Sequence, residues 1–425
     1  MNQPARGAGV ALAAGLSLAR GAHAAGSDLL RIALIGCGGR GTGAAVNALR
    51  TKANVKLVAM ADAFKDRLDN CLRAVKSQCP DRVDVPEDRK FTDLDGYEKA
   101  IGSDVDLVLL CTPPGFRPRQ FEAAVKAGKH IFAEKPLATD APGVRRVMAA
   151  NEEAKKKGLL VAVGHHLRHE VKHKEVMKRV HDGAIGKILF MRIYFNSTGV
   201  WVRPRQSGQT EMQHQVRNWY YFNWLCGDHI VEQHVHDIDV ANWFLKDQHP
   251  VQANGMGGRQ VRVGKDYGEI FDHHSVEFEY ADGTRLYSYC RHIPGCWDSF
   301  AEYAHGTAGH ADVQGHGHAV LCVNGRASQK WERGPDGHQL EMDDFFAAVA
   351  AGKPYNEIDW AVRSTMTAIL GRMATYSGQV VKWDDALQSK LDLAPERLAW
   401  DAQPKSLPGP DGIYPCAVPG VTKAL

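Results

Sequence analysis

The sequence predicts an α/β protein with an N-terminal doubly wound parallel sheet and a C-terminal α+β domain. Two observations support the first part: a glycine-rich loop directly follows an early apolar run, and continuous apolar runs then alternate with helical segments up to residue 164. Continuous apolar runs are typical of parallel strands that helices cover on both faces. One observation supports the second part: between residues 274 and 291, apolar and polar residues alternate on both sides of a turn containing Gly283. Such alternation is typical of antiparallel strands with one covered face.

Length and charge limit the classes of protein that this chain can represent. A chain of 425 residues suggests two or three domains. Its net charge of +3 is spread without a long basic run, so neither nucleic acid nor an anionic membrane surface is an expected partner. After the leader, no apolar run reaches the ~18 residues of a membrane span. We expect a leader at 1–27, a first domain at 28–164, a second domain at 165–383 and an extended arm rich in Pro and Gly at 384–425.

The first 27 residues resemble a signal peptide. Arg6 precedes a mild apolar run at 8–19, and Ala22-His23-Ala24 supplies a small-x-small cleavage pattern. The weak apolar run suits a twin-arginine-like route, although an Arg-Arg pair is missing. We therefore expect a periplasmic or secreted protein; the alternative is an Ala/Gly-rich leader on a cytoplasmic one. The nine cysteines include no CxxC pair and their odd number supports no disulfide framework, so they do not settle the compartment.

A glycine loop provides the first indication of function. The apolar run Leu30–Ile35 ends in Gly36-Cys37-Gly38-Gly39-Arg40-Gly41, and residues 42–50 have helical character. A G-x-G-x-x-G motif between a strand and a helix is typical of a Rossmann dinucleotide site, because the glycines permit a tight turn and a close approach of backbone to a pyrophosphate. The loop, including Gly39 and Arg40, is therefore a predicted cofactor site.

An acidic residue supports this prediction and favours NAD over NADP. The next apolar run, at 55–61, ends at Asp62, which lies 21 positions beyond Gly41 (62 − 41). A carboxylate at this place can accept hydrogen bonds from the ribose hydroxyls and repels a 2′-phosphate, although the nearby Arg67 keeps NADP as a less favoured alternative. Asp62 could instead cap a helix that begins at residue 63.

Two further strand ends complete the predicted crevice. The apolar runs at 105–111 and 130–133 end in Thr112-Pro113 and Glu134-Lys135 respectively. Ligands of open parallel sheets bind beyond the carboxyl ends of the strands, so these four residues are expected near the cofactor.

Together these features resemble the glucose–fructose oxidoreductase / inositol dehydrogenase / rhizopine-catabolism family. The resemblance rests on the glycine loop, Thr112-Pro113, Glu134-Lys135-Pro136, Val163-Gly164 and Glu232-x-x-x-His236-x-x-Asp239, and it covers nearly the whole chain after residue 28. It implies a Rossmann NAD domain followed by a domain with a large, mostly antiparallel open sheet. It also implies C-terminal helices that return to the first domain, a carbohydrate substrate, and a homo-oligomer, either a dimer or a tetramer.

The resemblance also implies roles for three residues. Lys135 would lie near the nicotinamide and bind the reacting hydroxyl, and His236 would accept its proton. Glu232, where the family commonly has Asp, would orient His236 or bind a neighbouring hydroxyl. The i, i+4 spacing predicts that Glu232 and His236 share one face of one helix. His229 precedes them and could add a metal ligand, but no further ligand cluster follows and we expect no metal.

The second domain supplies candidate substrate contacts. Residues 200–226 form a long aromatic and basic segment that includes Trp219. Aromatic rings pack on the C–H faces of sugars, which makes Trp219 a candidate pocket wall; a core or oligomer contact is the alternative. Arg168 and His165, at the crossing between the domains, are candidates to face the substrate, with packing of the domain junction as the equal alternative.

These expectations leave three functions open. The first is an NAD(P)-dependent oxidoreductase that acts on a secondary hydroxyl of a sugar, polyol or glycoside. The second is a glycoside hydrolase that uses NAD transiently through oxidation, elimination and reduction, with no net redox change. The third is a non-catalytic sugar- or nucleotide-binding sensor. An exported enzyme has no soluble NAD pool, so export would require a tightly bound cofactor.

Overall fold

The computed structural model describes residues 28–423 and 425, and the predicted leader at 1–27 lies outside them. Two sheets organise the described chain. The first is parallel throughout, with the order β3-β2-β1-β4-β5-β6. Its strands are β1 (Leu30–Ile35), β2 (Val55–Asp62), β3 (Lys90–Thr92), β4 (Leu107–Leu110), β5 (His130–Ala133) and β6 (Val161–Val163).

The first sheet is the doubly wound sheet that the sequence predicts. Its helices are α1 (Gly39–Leu49), α2 (Lys65–Gln78), α3 (Gly96–Gly102), α4 (Arg117–Lys126) and α5 (Ala141–Lys156). The strand order changes direction between β1 and β4, and ligands of such sheets bind at this switch point. β1, β2 and β4 are almost wholly buried, which explains their continuous apolar sequences.

Close packing at the switch point requires two of the glycines. Gly36 has φ +95°, a left-handed conformation that disfavours other residues, and a Cβ there would lie 2.5 Å from the backbone of Cys111. A Cβ on Gly41 would lie 1.9 Å from the carbonyl oxygen of Gly36. The first turn of α1 therefore rests directly on the strand-end turn.

Replacing Gly41 by alanine should lower the free energy of unfolding by about 1–3 kcal/mol, because the added methyl group must displace backbone rather than a flexible side chain. Urea unfolding measures the change. Gly39→Ala is the matched control: no described atom lies within 4 Å of its Cβ position, so its stability should change little. Equal loss in both variants would contradict the packing argument.

The second sheet has nine strands in the order β14-β13-β12-β11-β7-β10-β9-β8-β15. Only the pair β7 and β10 is parallel among its described pairings, so the predicted mostly antiparallel sheet is confirmed. Its strands are β7 (Ile188–Ser197), β8 (Gln252–Gly258), β9 (His273–Glu279), β10 (Arg285–His292), β11 (Ser299–Gly306), β12 (Gly309–Gln314), β13 (Ala319–Val323), β14 (Arg326–Trp331) and β15 (Val381–Lys382).

The remaining helices follow β6 in the chain. They are α6 (Val171–His181), α7 (Glu211–Arg217), α8 (Asn223–Cys226), α9 (His229–Glu232), α10 (Val235–Phe244), α11 (Gly337–Ala351), α12 (Ile358–Ser377) and α13 (Trp383–Gln388). Helix α11 packs against α1, where Asn47 Nδ2 donates to Gln339 Oε1 at 3.0 Å. Helix α11, from the C-terminal part of the chain, therefore lies against the first domain. Within the described residues, no helix combines the length and apolarity needed to cross a membrane.

Strand β8 ends at Gly258, and beyond it the Asp272 carboxylate accepts from backbone N–H groups, with Val261 N donating at 2.6 Å. The arm predicted at 384–425 begins inside α13. Beyond α13 the described arm has no helix or strand, and it is fixed by side chains such as Tyr414, whose hydroxyl donates to Glu211 at 2.5 Å.

Candidate active site

A cleft of about 540 Å³ lies between the carboxyl ends of the parallel strands and the second domain. Most of the predicted site residues line it. They are Gly36, Gly38, Gly39, Arg40, Asp62, Arg67, Thr112, Pro113, Glu134, Lys135, Trp219, Glu232 and His236. Gly41 lies behind the loop as a packing residue, and Arg168 lies outside the cleft.

One end of the cleft fits a dinucleotide. No described atom lies within 4 Å of the Cβ positions of Gly38 and Gly39, so the loop leaves open space where a pyrophosphate approaches. At the end of β2, Asp62 Oδ2 accepts from Cys37 N at 2.7 Å and Asp62 Oδ1 accepts from Phe64 N at 2.9 Å. Asp62 therefore ties the glycine loop to the start of α2, and its carboxylate keeps lone pairs for ribose hydroxyls.

Arg40 and Glu134 form an ion pair beneath the loop. Arg40 Nε donates to Glu134 Oε1 at 2.6 Å, while Arg40 Nη2 is buried without a hydrogen-bond partner in the described chain. Burial alone would raise the pKa of Glu134, but the charges of Arg40 and Lys135 outweigh it and hold that pKa below its ordinary value. A Cβ on Gly164 would lie 2.7 Å from the Glu134 carboxylate, so glycine there leaves room for this ion pair.

A buried arginine fixes the two strand ends. Arg117 donates to the carbonyl oxygen of Pro136 at 2.7 Å and to that of Thr112 at 2.5 Å. Burial lowers the pKa of Arg117 to about 10. Because it holds both turns, it positions Lys135, which directly precedes Pro136, at the edge of the cleft.

Lys135 and Glu232 meet across the cleft. Lys135 Nζ donates to the Glu232 carbonyl oxygen at 2.6 Å and lies 3.3 Å from Glu232 Oε1. Both side chains are only slightly exposed, 11% and 13%. An ammonium has three protons, so Lys135 keeps one for a further acceptor in the cleft.

The prediction that Glu232 and His236 share one helix is wrong. Helix α9 ends at Glu232 and α10 begins at Val235, with a break at Gln233 and His234. In a continuous helix the Glu232 carbonyl would accept from His236 N. Lys135 takes this carbonyl instead, and His236 N donates to Gln233 O at 3.1 Å. Both side chains nevertheless line the same cleft.

His236 is a half-buried, neutral imidazole. Burial lowers its pKa well below 6.5, and the charges of Lys135 and the neighbouring His166 lower it further. Its Nδ1 is buried without a hydrogen-bond partner in the described chain. A neutral imidazole beside an ammonium can accept a proton, which is the state that a general base requires.

Two further histidines of this end of the cleft were missed from the sequence. The His166 ring lies 4.9 Å from that of His236 and stacks on His338 at 4.0 Å. His166 follows β6, so its position at a strand end could have identified it. His338 lies on α11, and only the return of that helix brings it to the cleft. His165, a sequence candidate, packs against Trp360 behind this group.

The aromatic segment at 200–226 forms the opposite wall. Trp219 lies in a short 3-10 helix, and its ring packs against Trp201 at 5.8 Å and Tyr220 at 5.4 Å. Trp201 is 39% exposed, so the wall combines fixed and accessible aromatic surface. Arg203 stacks on Trp201 with its guanidinium 4.4 Å from the ring centroid.

Arg168 does not face the cleft. Arg168 Nε donates to Asp239 Oδ2 at 2.7 Å, and Arg168 Nη2 donates to Asp247 Oδ1 at 2.6 Å. The guanidinium also lies 3.7 Å from the Trp360 ring centroid. The side chain is 9% exposed. These contacts correspond to the alternative interpretation of Arg168, namely packing of the domain junction.

Replacing Arg168 by methionine should lower the free energy of unfolding by about 3–5 kcal/mol, because it leaves the buried Asp239 carboxylate without its cation. Chemical unfolding measures this loss. Arg363→Met is the control. Exposed Arg363 donates to the Asp247 carbonyl, so its loss should change stability by less than about 0.5 kcal/mol. An Arg168→Met protein as stable as the unmodified chain would contradict this structural role and would favour the other interpretation of Arg168, namely contact with the substrate.

The metal face considered from the sequence does not form. His229 Nδ1 pairs with Asp228 at 2.7 Å, Glu232 pairs with Lys135, and His236 lies beyond the break that separates α9 from α10. In the described chain Asp228, His229 and His274 lie close enough to hold an ion. The Asp228 carboxylate, however, already accepts from His229 N and from the Tyr376 hydroxyl, so this group is a hydrogen-bonded core cluster.

Comparison with protein families decides the classification. Residues 30–165 match the model of the GFO/IDH/MocA oxidoreductase family with an NAD-binding Rossmann fold, and residues 173–310 match the C-terminal domain of the same family. The two matches cover more than half of the chain. The chain belongs to the GFO/IDH/MocA family. Its first domain is an NAD-binding Rossmann domain, which agrees with the open glycine loop and with Asp62.

Curated relatives resemble this member of the family over part or most of their length. A 1,5-anhydro-D-fructose reductase of Ensifer adhaerens is 29% identical over 39% of this chain and 47% of the relative. An inositol 2-dehydrogenase of Cereibacter sphaeroides is 27% identical over 78% of this chain and 89% of the relative. A myo-inositol 2-dehydrogenase of Thermotoga maritima is 32% identical over 56% and 61%. The chain thus spans about half the length of the first of these relatives.

Solved structures support the fold. The aldose-aldose oxidoreductase of Caulobacter crescentus, solved with glycerol, has a TM-score of 0.66 at 19% identity and covers 83% of this chain and 99% of its own. A levoglucosan dehydrogenase, solved with NADH and levoglucosan, has a TM-score of 0.66 at 17% identity with the same coverage. These likenesses show that both domains share the architecture of this family.

Proposed function

We propose that this chain is an NAD-dependent oxidoreductase that acts on a secondary hydroxyl of a sugar, polyol or glycoside. The observation that carries the proposal is that the Lys135 ammonium and the neutral His236 imidazole line the same cleft as the glycine loop. A cation that binds an oxygen and a base that takes its proton are the two groups that oxidation of an alcohol needs from a protein.

Each group has a separate part in the reaction. NAD, when bound, supplies the acceptor for the hydride that leaves the carbinol carbon. Lys135 donates a hydrogen bond to the substrate oxygen and stabilises the negative charge that develops there. His236 accepts the hydroxyl proton, and burial keeps this imidazole unprotonated beforehand. Glu232 holds the Lys135 ammonium at the cleft through its carbonyl and carboxylate oxygens.

The cleft wall supports a carbohydrate substrate. The rings of Trp201 and Trp219 offer apolar surface that suits the C–H face of a sugar, and histidines nearby can donate to or accept from its hydroxyls. The named relatives and structural neighbours, an inositol dehydrogenase, an anhydrofructose reductase and a levoglucosan dehydrogenase, act on compounds of this class by name. Their chemistry supports the same class here.

Product analysis tests the proposal. The purified protein is first examined by mass spectrometry for retained NAD and is then incubated with a panel of polyols, free sugars and glycosides. A keto-sugar formed together with NADH supports the oxidoreductase. Free sugar released from a glycoside with unchanged NAD would instead identify the hydrolase. A cleft that binds a sugar without changing it would identify the sensor.

The oligomeric state stays a prediction. We expect a dimer or tetramer that forms through the open face of the nine-stranded sheet, where Phe190 packs on Tyr287 and Tyr194 packs on Tyr289 and Trp297. Trp297 is 63% exposed and lies beside these aromatic residues, and contiguous exposed apolar surface is typical of protein–protein contacts. Light scattering on the purified chain measures the assembly.

A further inference from the structure

The adenosine end of the cleft is bridged by a contact between the two domains. Arg217 of α7 makes two hydrogen bonds with the carboxylate of Asp66 on α2, at 2.8 and 2.7 Å. The Arg217 guanidinium also lies 3.9 Å from the ring centroid of Phe64. Phe64 also packs against Trp400 of the C-terminal arm, with ring centroids 5.4 Å apart and ring planes tilted by 36°. We call these four residues the cofactor clasp.

The clasp lies where the ribose is expected. Asp62 marks the position of the adenosine ribose in this fold, and its Oδ1 accepts from the backbone N–H of Phe64. Phe64 and Arg217 both line the cleft together with Asp62. The bridge therefore joins the two walls of the cleft over the adenosine half, so a dinucleotide lying there is enclosed by residues from both domains.

The clasp is also built as a fixed unit. Trp400 is held to the start of α7, because the Thr210 hydroxyl donates to the Trp400 carbonyl at 2.8 Å. The arm is attached to α7 a second time, where Gln215 Nε2 donates to the Ser406 carbonyl at 2.8 Å. The hydrogen bond from Arg217 lowers the pKa of Asp66, which is the direction expected for a stable ion pair. Opening the cleft at this end therefore requires α7 and the attached arm to move away from α2 as one unit.

We propose that the cofactor clasp forms the outer wall of the adenosine site and retains NAD from one turnover to the next. This inference rests on the proposed function, since it assumes that NAD occupies the cleft. It adds to that function a binding role for Arg217, Asp66 and the C-terminal arm, none of which belongs to the glycine loop or to the strand ends. A cofactor that stays bound has to pass its hydride to a second substrate, a carbonyl compound that takes the hydride and a proton, becomes an alcohol and leaves NAD in the cleft.

A chase experiment tests the clasp. The full chain is loaded with radiolabelled NAD, an excess of unlabelled NAD is added, and the dissociation rate is followed. Arg217→Ala removes the cation that pairs with Asp66 and packs on Phe64, and Asp66→Ala removes the anionic partner of that cation. Each variant should raise the dissociation rate of NAD about tenfold. Exchanging the two charges in the double variant Asp66→Arg/Arg217→Asp should return the rate towards that of the unmodified chain.

Arg285→Ala is the matched control. Arg285 is 33% exposed and pairs with Glu277 and Glu279, but all three residues lie within the nine-stranded sheet, so its loss should leave NAD dissociation unchanged. Equal dissociation rates for Arg217→Ala and the unmodified chain would overturn the clasp while leaving the proposed function intact. Failure of the unmodified chain to bind NAD at all would overturn the proposed function itself.

Discussion

Replacing Lys135 by alanine should lower kcat/KM by about a thousandfold, which is the order of effect seen when a protein loses the group that stabilises a developing oxyanion. The loss should fall mainly on kcat, because the interaction with the substrate oxygen strengthens as negative charge develops. Steady-state kinetics on the substrate identified by product analysis measure the change. Binding of NAD should persist, since the glycine loop and Asp62 are untouched.

Lys156→Ala is the control for this variant. Lys156 is an exposed lysine at the end of α5, so its loss should leave activity unchanged. Full activity in the Lys135→Ala protein would contradict the proposed mechanism. A Lys135→Ala protein that had also lost NAD would show instead that Lys135 serves the cofactor site.

Replacing His236 by asparagine should lower kcat by about 10²- to 10⁴-fold, the range expected for loss of a general base. The pH dependence gives a second readout. Burial holds the pKa of His236 well below 6.5, so the imidazole stays unprotonated at neutral pH and activity should be level there. As pH falls through the lowered pKa, His236 becomes protonated and kcat/KM should decrease.

The Asn variant should lack this acid limb of the profile. A matched variant, His338→Asn, removes a histidine of the same end of the cleft that does not contact His236 directly, so its acid limb should remain. Retention of the limb in His236→Asn and its loss in His338→Asn would transfer the role of base to the pair formed by His166 and His338.

The cofactor half of the site could be predicted because its signals are local. The loop from Gly36 to Gly41 follows β1 directly, and its spacing alone specifies a tight turn and a helix start. The ends of β2, β4 and β5 converge because parallel strands of one sheet end at the same edge. Asp62 and Lys135 are such strand-end residues, so the sequence was sufficient to place them in one crevice.

The rest depends on contacts between distant segments. The break between α9 and α10 could not be predicted, because the carbonyl that ends α9 is taken by Lys135, 97 positions away in the chain. Arg168 was open to two interpretations until the contact with Asp239 was known. His338 and Trp400 reach the cleft region only through the return of α11 and the course of the arm, for which periodicity gives no signal.

Transfer of a labelled hydride tests the central claim most directly. The protein with bound NAD is mixed with a polyol or glycoside that carries deuterium on its carbinol carbons, and the cofactor is then isolated and analysed by mass spectrometry and NMR. We expect deuterium at C4 of the nicotinamide in the unmodified chain and none in the Lys135→Ala chain. Turnover of the substrate with no deuterium on the bound cofactor would contradict it.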